Sequence, residues 1–247
     1  VAKVVRAEAF QVDVPVEALR TDAVQQFVKQ ETVFVEITTD DGLTGLGYAY
    51  TIGTGGSSVL TLLKDHLLPR LVDADARRIE RIWHDLFAST RSTTVGAITS
   101  LALAALDTAL WDLHCLRAGE PLWRMAGGFR REVPLYDTEG GWLHLGTEEL
   151  VRGAKVDAAR IGGITPFLKV AHLAEAFNAD VCPHFLMELH VSLAAALPNG
   201  KFVEHIPQLR AITKSELTVH NGHALAPDMP GLGIDWDRDA MDDLRVA

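Results

Sequence analysis

The chain has 247 residues, 48% of them apolar, and a formal net charge of −10 at pH 7. That is enough apolar chain for one large domain or two smaller ones with a core, and no run approaches the ~18 apolar residues of a membrane span. The acidic balance excludes general nucleic-acid binding but allows an anionic small substrate, because a pocket's local charge can oppose the global one. Two cysteines, Cys115 and Cys182, make neither a disulfide framework nor a zinc spacing, so a cytoplasmic location is expected. The N-terminus, VAKVVRAEAF, lacks the basic-then-apolar pattern of a secretory signal. Its first residue is Val rather than Met, which suggests part of a longer polypeptide.

In chain order, residues 1–50 read as a strand meander. Val4 to Val14 is β-rich, Thr32 to Thr38 alternates with β-branched residues, Asp40-Asp41-Gly42 is a hairpin turn, and Leu43 to Tyr50 returns. TIGTGGSS at 51–58 is a loop, with Ser57 or Ser58 as candidate helix caps. Residues 59–118 are predicted helical. Ile79, Ile82, Trp83, Leu86 and Phe87 keep i, i+3, i+4 spacing. Thr99 or Ser100 is expected to open a helix whose stripe of Leu103, Leu106, Leu110, Leu113 and Leu116 is buried on more than one side. Gly119 and Pro121 stop it.

From about residue 132 strands and helices alternate, which predicts a parallel sheet, open or closed into a barrel. Val133–Asp137 reads as a strand, Thr147–Leu150 as a capped helix start and Val156–Ala158 as a strand end. Thr165–Phe177 follows as a helix, Val181–His184 as a strand end, Leu189–Leu197 as a short helix and Lys201–His205 as a strand. Leu217 to Trp236 reads as a hairpin and loop.

Asp157, His184 and Glu204 each follow a short apolar strand, about one βα unit apart. Side chains at the C-terminal ends of neighbouring parallel strands converge on one mouth, where barrel enzymes do chemistry. Asp157 can hold the His184 imidazole in one tautomer and raise its basicity. Glu204 can hydrogen-bond a developing oxyanion if it is protonated or shares a proton with it. A single strand-end histidine is more often structural; three polar strand ends in register shift that balance. Gly162-Gly163 reads as a loop needing positive φ and close packing rather than a phosphate cradle, since no GxGxxG is present.

The strings DAARIGGIT, PHFLMELH and NGKFVE resemble the last barrel strands of the mandelate racemase/muconate lactonizing group of the enolase superfamily. TTDDGLTGLGYAY resembles that family's capping-domain hairpin, LAALDTALWDLHCLRAGEPLWRMAGG the helix and Gly-Gly turn before the barrel, and REVPLYDTEGG the first barrel strand. The resemblance implies an α/β fold, an α+β capping domain over a modified (β/α) TIM-type barrel. It implies abstraction of the proton α to a carboxylate, an enediolate stabilised by Mg²⁺, and a Lys or His base. By that resemblance His184 matches the general base, Asp157 its partner and Glu204 the acid on the eighth strand. The segment Met187 to Leu193 looks most like the talarate/galactarate dehydratases. The loops at 17–30 and 51–58 match positions that close over substrate.

The family pattern breaks between Ala154 and Lys155. The second-strand Lys-x-Lys motif and the metal ligands of the third to fifth strands have no counterpart, so the metal ligands expected in this sequence are none. The barrel expected here has its first strand and last three strands only. Lys155 stands in the wrong place to replace the absent lysine, and Glu148 and Glu149 are better explained by a helix start. The expected organisation is a capping domain at 1–128, a partial barrel at 129–211 and a C-terminal segment at 212–247 returning to the cap. An omitted middle segment and a true deletion compete. The intact flanking patterns favour omission, because a deletion would expose or force together strand edges.

The expected function is an Mg²⁺-dependent dehydratase of a galactarate- or talarate-like acid sugar. A racemase or epimerase of a 2-hydroxy acid on the same site is the nearest rival, and a catalytically inactive fragment or structural subunit is the alternative of another class. The expected partners are a small carboxylate substrate and further copies of the chain, with no nucleic acid and no membrane.

Overall fold

Three antiparallel strands open the chain in the order β1-β2-β3: β1 (Val4–Thr21), β2 (Gln26–Thr39) and β3 (Thr44–Thr51). The structure, a computed structural model, describes residues 1–21, 26–136, 153–154 and 156–247, with side chains at 1–16, 27–136 and 156–247. The β2–β3 turn is the expected Asp-Asp-Gly, with Gly42 at φ 84 and its N–H on Thr39 O. Both faces of β2 are covered: Val33, Val35 and Ile37 are buried on one, and Phe34 is buried on the other, where it stacks on Phe10 from the neighbouring strand.

α1 (Gly56–Leu62) follows and runs on through a π turn and a 3₁₀ turn to Arg70. Neither Ser57 nor Ser58 caps it. The N-cap is Gly55, in the left-handed region at φ 105, and the Glu31 carboxylate takes the first-turn N–H of Gly56 at 2.8 Å. A carboxylate reaching in from β2 supplies the acceptor that a serine cap would have given.

α2 (Ile79–Ser89) precedes α3 (Ala97–Ala118), which starts two residues before Thr99 with Gly96 as N-cap and no side-chain cap. Thirteen of the 22 residues of α3 are buried, so more than one face is enclosed, as its composition predicts. One face lies on β3. A Cβ at Gly47 would sit 2.1 Å from Ala109 N, and one at Gly45 would sit 2.5 Å from Ala109 O. Only glycine at these two same-face positions admits the helix backbone so close to the strand.

α4 (Leu122–Met125) leads into β4 (Glu132–Tyr136). The remaining chain builds an arc of parallel strands: β5 (Gly153–Ala154), β6 (Asp180–Val181) and β7 (Val203–Glu204). β5 pairs with β6, Val181 bridges to Gly200 at the approach to β7, and β7 pairs with β4 through Leu135↔Val203 and Tyr136↔Glu204. The helices α5 (Ala158–Ile161), α6 (Ile164–Ala176) and α7 (Met187–Ala196) connect them. The hairpin β8 (Val219–His220) and β9 (His223–Leu225) lies antiparallel on the other side of β4. α8 (Arg238–Asp243) carries the last residues back to β1, where Val246 N–H meets Gln11 O. The fold is therefore α/β, an α+β cap joined to a partial (β/α) barrel.

The arc differs from its sequence reading in detail. The ladder before Asp157 is at Gly153–Ala154, not Val156–Ala158, because Asp157 caps α5 and Ala158 is already helical. The expected strands at 181–184 and 201–205 shrink to two paired residues each. Gly162 and Gly163 adopt φ 100 and 118, and a Cβ on Gly163 would meet Asp107 Oδ2 at 2.4 Å, so the close-packed loop is what forms. The expected helix start at Thr147–Leu150, with Glu148 and Glu149, and Lys155 at the expected break lie outside the described residues, as does part of the 17–30 loop.

Candidate functional site

Asp157, His184 and Glu204 come from three consecutive βα units and meet at one end of the arc. Asp157 follows β5 as the N-cap of α5, where its Oδ1 accepts the Ala159 and Arg160 N–H groups. His184 follows β6, and its Nδ1 lies 3.3 Å from Asp157 Oδ2. Glu204 ends β7, and its Oε2 accepts the Phe185 N–H at 2.7 Å, immediately beside the histidine. Both carboxylates are buried, Asp157 at 5% and Glu204 at 2% exposure, whereas the His184 side chain is 35% exposed. The imidazole is thus the member that solvent or a ligand can reach.

Burial pushes the Asp157 carboxyl up, but the His184 hydrogen bond, the nearby His190 and the Tyr50 hydroxyl outweigh it and hold the group below its ordinary value. An ionised carboxylate can only accept, so Nδ1 is the His184 nitrogen that donates to Asp157, and Nε2 is the nitrogen turned away from it. A general base of this kind would act through Nε2.

Four residues that sequence reasoning did not select complete the surroundings. Tyr50, at the end of β3, donates its hydroxyl to Asp157 Oδ2 at 2.8 Å and stacks on Phe185 with ring centroids 4.2 Å apart. His190, on α7, is fully buried; its Nε2 accepts the Ala158 N–H at 3.1 Å and its Nδ1–H donates to Phe185 O at 2.6 Å. Burial holds His190 below the usual imidazole range, consistent with a neutral ring using both nitrogens. Arg160 places Nε 3.6 Å from Asp157 Oδ2, and Tyr136, on β4, donates its hydroxyl to Pro183 O at 3.0 Å. Phe185 and Leu186 have φ of 60 and 38, a conformation costing roughly 1–3 kcal/mol per non-glycine residue. Glu204, His190 and the Tyr50 ring each grip Phe185 and so hold that bend beside His184. Tyr50 carried no local sequence signal, since Asp157 lies 107 residues away, and of the two partners of His190 only Phe185 is near in sequence, Ala158 being 32 residues away.

Among the described residues, no three His, Cys, Asp or Glu side chains converge to hold a metal ion. The Asp157, His184 and Glu204 set does not fit Mg²⁺: its exposed member is an imidazole, and a hard cation with near-octahedral demands takes oxygen ligands. A cavity of about 300 Å³ lined by Arg131, Glu188, Glu216 and Asp228 lies beneath the β8–β9 hairpin and shares no residue with this set. No helix among the described residues is long and apolar enough to cross a membrane.

A three-stranded cap with its long helix, joined to a parallel arc bearing polar residues at its strand ends, has the architecture of the enolase superfamily. The chain belongs to the mandelate racemase/muconate lactonizing enzyme family. Residues 4–127 match that family's N-terminal domain, and residues 139–240 match the enolase C-terminal domain-like family. It is 27% identical to a 3,6-anhydro-alpha-L-galactonate cycloisomerase of Streptomyces coelicolor, covering 87% of this chain and 92% of the relative. That alignment runs over 331 residues, more than the 247 present here, so the relative holds a stretch with no counterpart in this chain. The chain is 34% identical to a D-mannonate dehydratase of Rhizorhabdus wittichii over 72% of its own length and 44% of that protein's. The fold is that of the L-talarate dehydratase from Polaromonas sp. JS666 complexed with Mg and L-glucarate, with TM-score 0.89, 23% identity, and coverage of 100% of this chain and 98% of that one. Its relatives thus include acid-sugar dehydratases and cycloisomerases, and several solved structures of the same fold hold Mg²⁺.

Proposed function

We propose that this chain carries the base side of an acid-sugar dehydratase, with His184 as general base, Asp157 as its partner and Glu204 as hydrogen-bonding acid. The observation that carries this reading is the Asp157–His184 contact, which leaves a half-exposed imidazole with its Nε2 turned away from a buried carboxyl group. In the proposed step His184 Nε2 takes the proton α to the substrate carboxylate, and Asp157 stabilises the imidazolium that forms. Glu204 faces the charge developing on the carboxylate oxygen. The β-hydroxyl then leaves with a proton as water, and the enol tautomerises to the keto acid. A galactarate- or talarate-like diacid is the proposed substrate, supported by the dehydratases among the relatives and the MELHVSL segment. No step is drawn through a metal ion, since the described residues do not furnish its ligands.

The experiment is incubation with galactarate in D₂O, followed by mass spectrometry. The reading expects loss of one water, and His184→Asn should lower solvent exchange of the α-proton by about 10²–10⁴-fold, the usual contribution of a general base. Exchange at an undiminished rate in His184→Asn would assign the base elsewhere; epimerised substrate without water loss would favour a racemase.

A second reading, an incomplete and inactive chain, is favoured by the absence of a cation-holding cluster among the described residues. It expects no saturable Mg²⁺ binding by the 247-residue chain in calorimetry, and a stoichiometric site would remove it.

A further inference from the structure

The Asp157–His184 pair is not built from the barrel arc alone. Tyr50 belongs to the capping sheet and is 2% exposed, yet its hydroxyl reaches the same oxygen, Asp157 Oδ2, that faces His184. The Tyr50 contact, at 2.8 Å, is shorter than the His184 contact at 3.3 Å. Its ring is fixed from two sides, stacked on Phe185 at 4.2 Å and carrying the Arg160 guanidinium 5.6 Å from its centroid. A tyrosine that only filled space would need no hydroxyl here; this one gives its proton to the carboxylate oxygen that faces the imidazole, while the Arg160 guanidinium also bonds to the phenol.

We propose that Tyr50 is a positioning residue that ties the cap to the Asp157–His184 pair and, by sharing Asp157 Oδ2, sets how basic His184 is. The proposal rests on the reading of His184 as the base. Two donors compete for one oxygen. Each hydrogen bond to a carboxylate disperses its charge and weakens what the other donor gains. With Tyr50 in place, Asp157 is held in the ionised form and oriented, while its pull on an imidazolium at His184 is moderated. If the cap lifts away, the hydroxyl leaves and Oδ2 is left to His184 and to the Arg160 guanidinium, whose Nε lies 3.6 Å away. The basicity of His184 is in this way made to depend on a residue 107 positions from Asp157 and in another layer of the fold.

Burial pushes the Tyr50 phenol well above its ordinary value, so it is a donor at any working pH. The other titratable groups around the pair are Arg160 on α5, Cys182 and Tyr136 flanking the β6 and β4 strand ends, His190 on α7 and Glu204 on β7. Arg160 also lies against Asp157 Oδ2, with its Nε 3.6 Å away.

The test is an NMR titration of the 247-residue chain labelled in its histidine rings, with the His184 signal assigned by its loss in His184→Asn. Tyr50→Phe keeps the ring, and with it the stack on Phe185, and removes only the hydroxyl. The expected result is an upward shift of the His184 pKa by about 0.5–1 unit, as the phenol ceases to share Oδ2. A His184 pKa that stays put in a folded Tyr50→Phe chain overturns the proposal, because a merely packing role is preserved by phenylalanine. Should that variant not fold, 3-fluorotyrosine placed at position 50, a more acidic donor, must move the His184 pKa downward, and no shift overturns the proposal equally. The readout is independent of turnover. A chain that shows the shift but no α-proton exchange sinks the dehydratase reading and leaves the role of Tyr50 standing; exchange without the shift does the reverse.

Discussion

The cap and the barrel arc are held together by different means. In the cap, strands of 18, 14 and 8 residues pair in long registers, and α3 closes over them through the glycine contacts at 45 and 47. In the arc, three of the four parallel strands have only two paired residues. What the ladder does not supply, polar side chains do. Asn199 Nδ2 donates to Ala171 O and Ala179 O, Tyr136 to Pro183 O, and Glu204 takes the Phe185 N–H. The difference teaches that in the arc the candidate site residues are also structural ties. A substitution there is expected to cost stability as well as activity, whereas in the cap the two separate at most positions, Tyr50 with its bond to Asp157 being an exception.

The sharpest way to break this comparison is a methyl or isopropyl group in the cap. Gly47→Val drives side-chain atoms into the α3 backbone, where even a Cβ would lie 2.1 Å from Ala109 N, and should cost roughly 3 kcal/mol or more. Gly222→Ala, in the β8–β9 turn with open space around it, meets only the strain of φ 75 and should cost about 1–2 kcal/mol. Thermal or urea unfolding of the two variants measures both. Equal losses would mean that the cap packing is no tighter than the hairpin on the arc.

Hydrogen exchange offers a second, gentler comparison. Amides of Val33, Val35 and Ile37 in the central strand of the cap are expected to exchange at least about tenfold more slowly than those of Val181 and Val203 in the arc. Matching protection would show one cooperative unit rather than a rigid cap with a looser arc.

A comparison that depends on pH concerns α3, which touches both regions through two buried carboxyl groups. Asp107 accepts the Thr165 N–H and hydroxyl at the start of α6, and Asp112 accepts the Leu46 and Leu232 N–H groups in the cap and the C-terminal segment. Burial pushes Asp107 up to about 7 and Asp112 up to about 6, against those hydrogen bonds. In the unfolded chain both titrate near ~3.9. Between those values the unfolded chain has lost protons that the folded chain keeps, so stability should fall as pH rises from about 4 to about 7 and level off above. Asp107→Asn should flatten the part of that slope near pH 6–7, measured as the urea midpoint against pH. An unchanged slope would mean that Asp107 is already ionised where it joins α3 to the arc.

Much of this was legible in the sequence. The strand meander, the Asp-Asp-Gly turn, the length and double-sided burial of α3, and the Gly162-Gly163 bend all follow from periodicity and from which residues tolerate positive φ. Asp157, His184 and Glu204 could be picked out because each is a polar residue following an apolar strand, one βα unit apart. These are local patterns, and local patterns survive in one dimension. The helix caps were misread because the acceptor at α1 comes from Glu31, on another strand, and because α3 begins on a glycine with no side-chain cap at all.

What only the tertiary structure decided is where contacts span the chain. No spacing could reveal that Tyr50 reaches Asp157, that His190 holds Ala158 to Phe185, or that β4 pairs directly with β7. A hydrogen bond is set by where two layers come to rest, and that depends on the packing of α3 on the cap and of the cap on the arc. The sequence thus determined the elements and marked three polar strand ends as candidates; the fold determined that one oxygen of Asp157 faces both His184 and Tyr50.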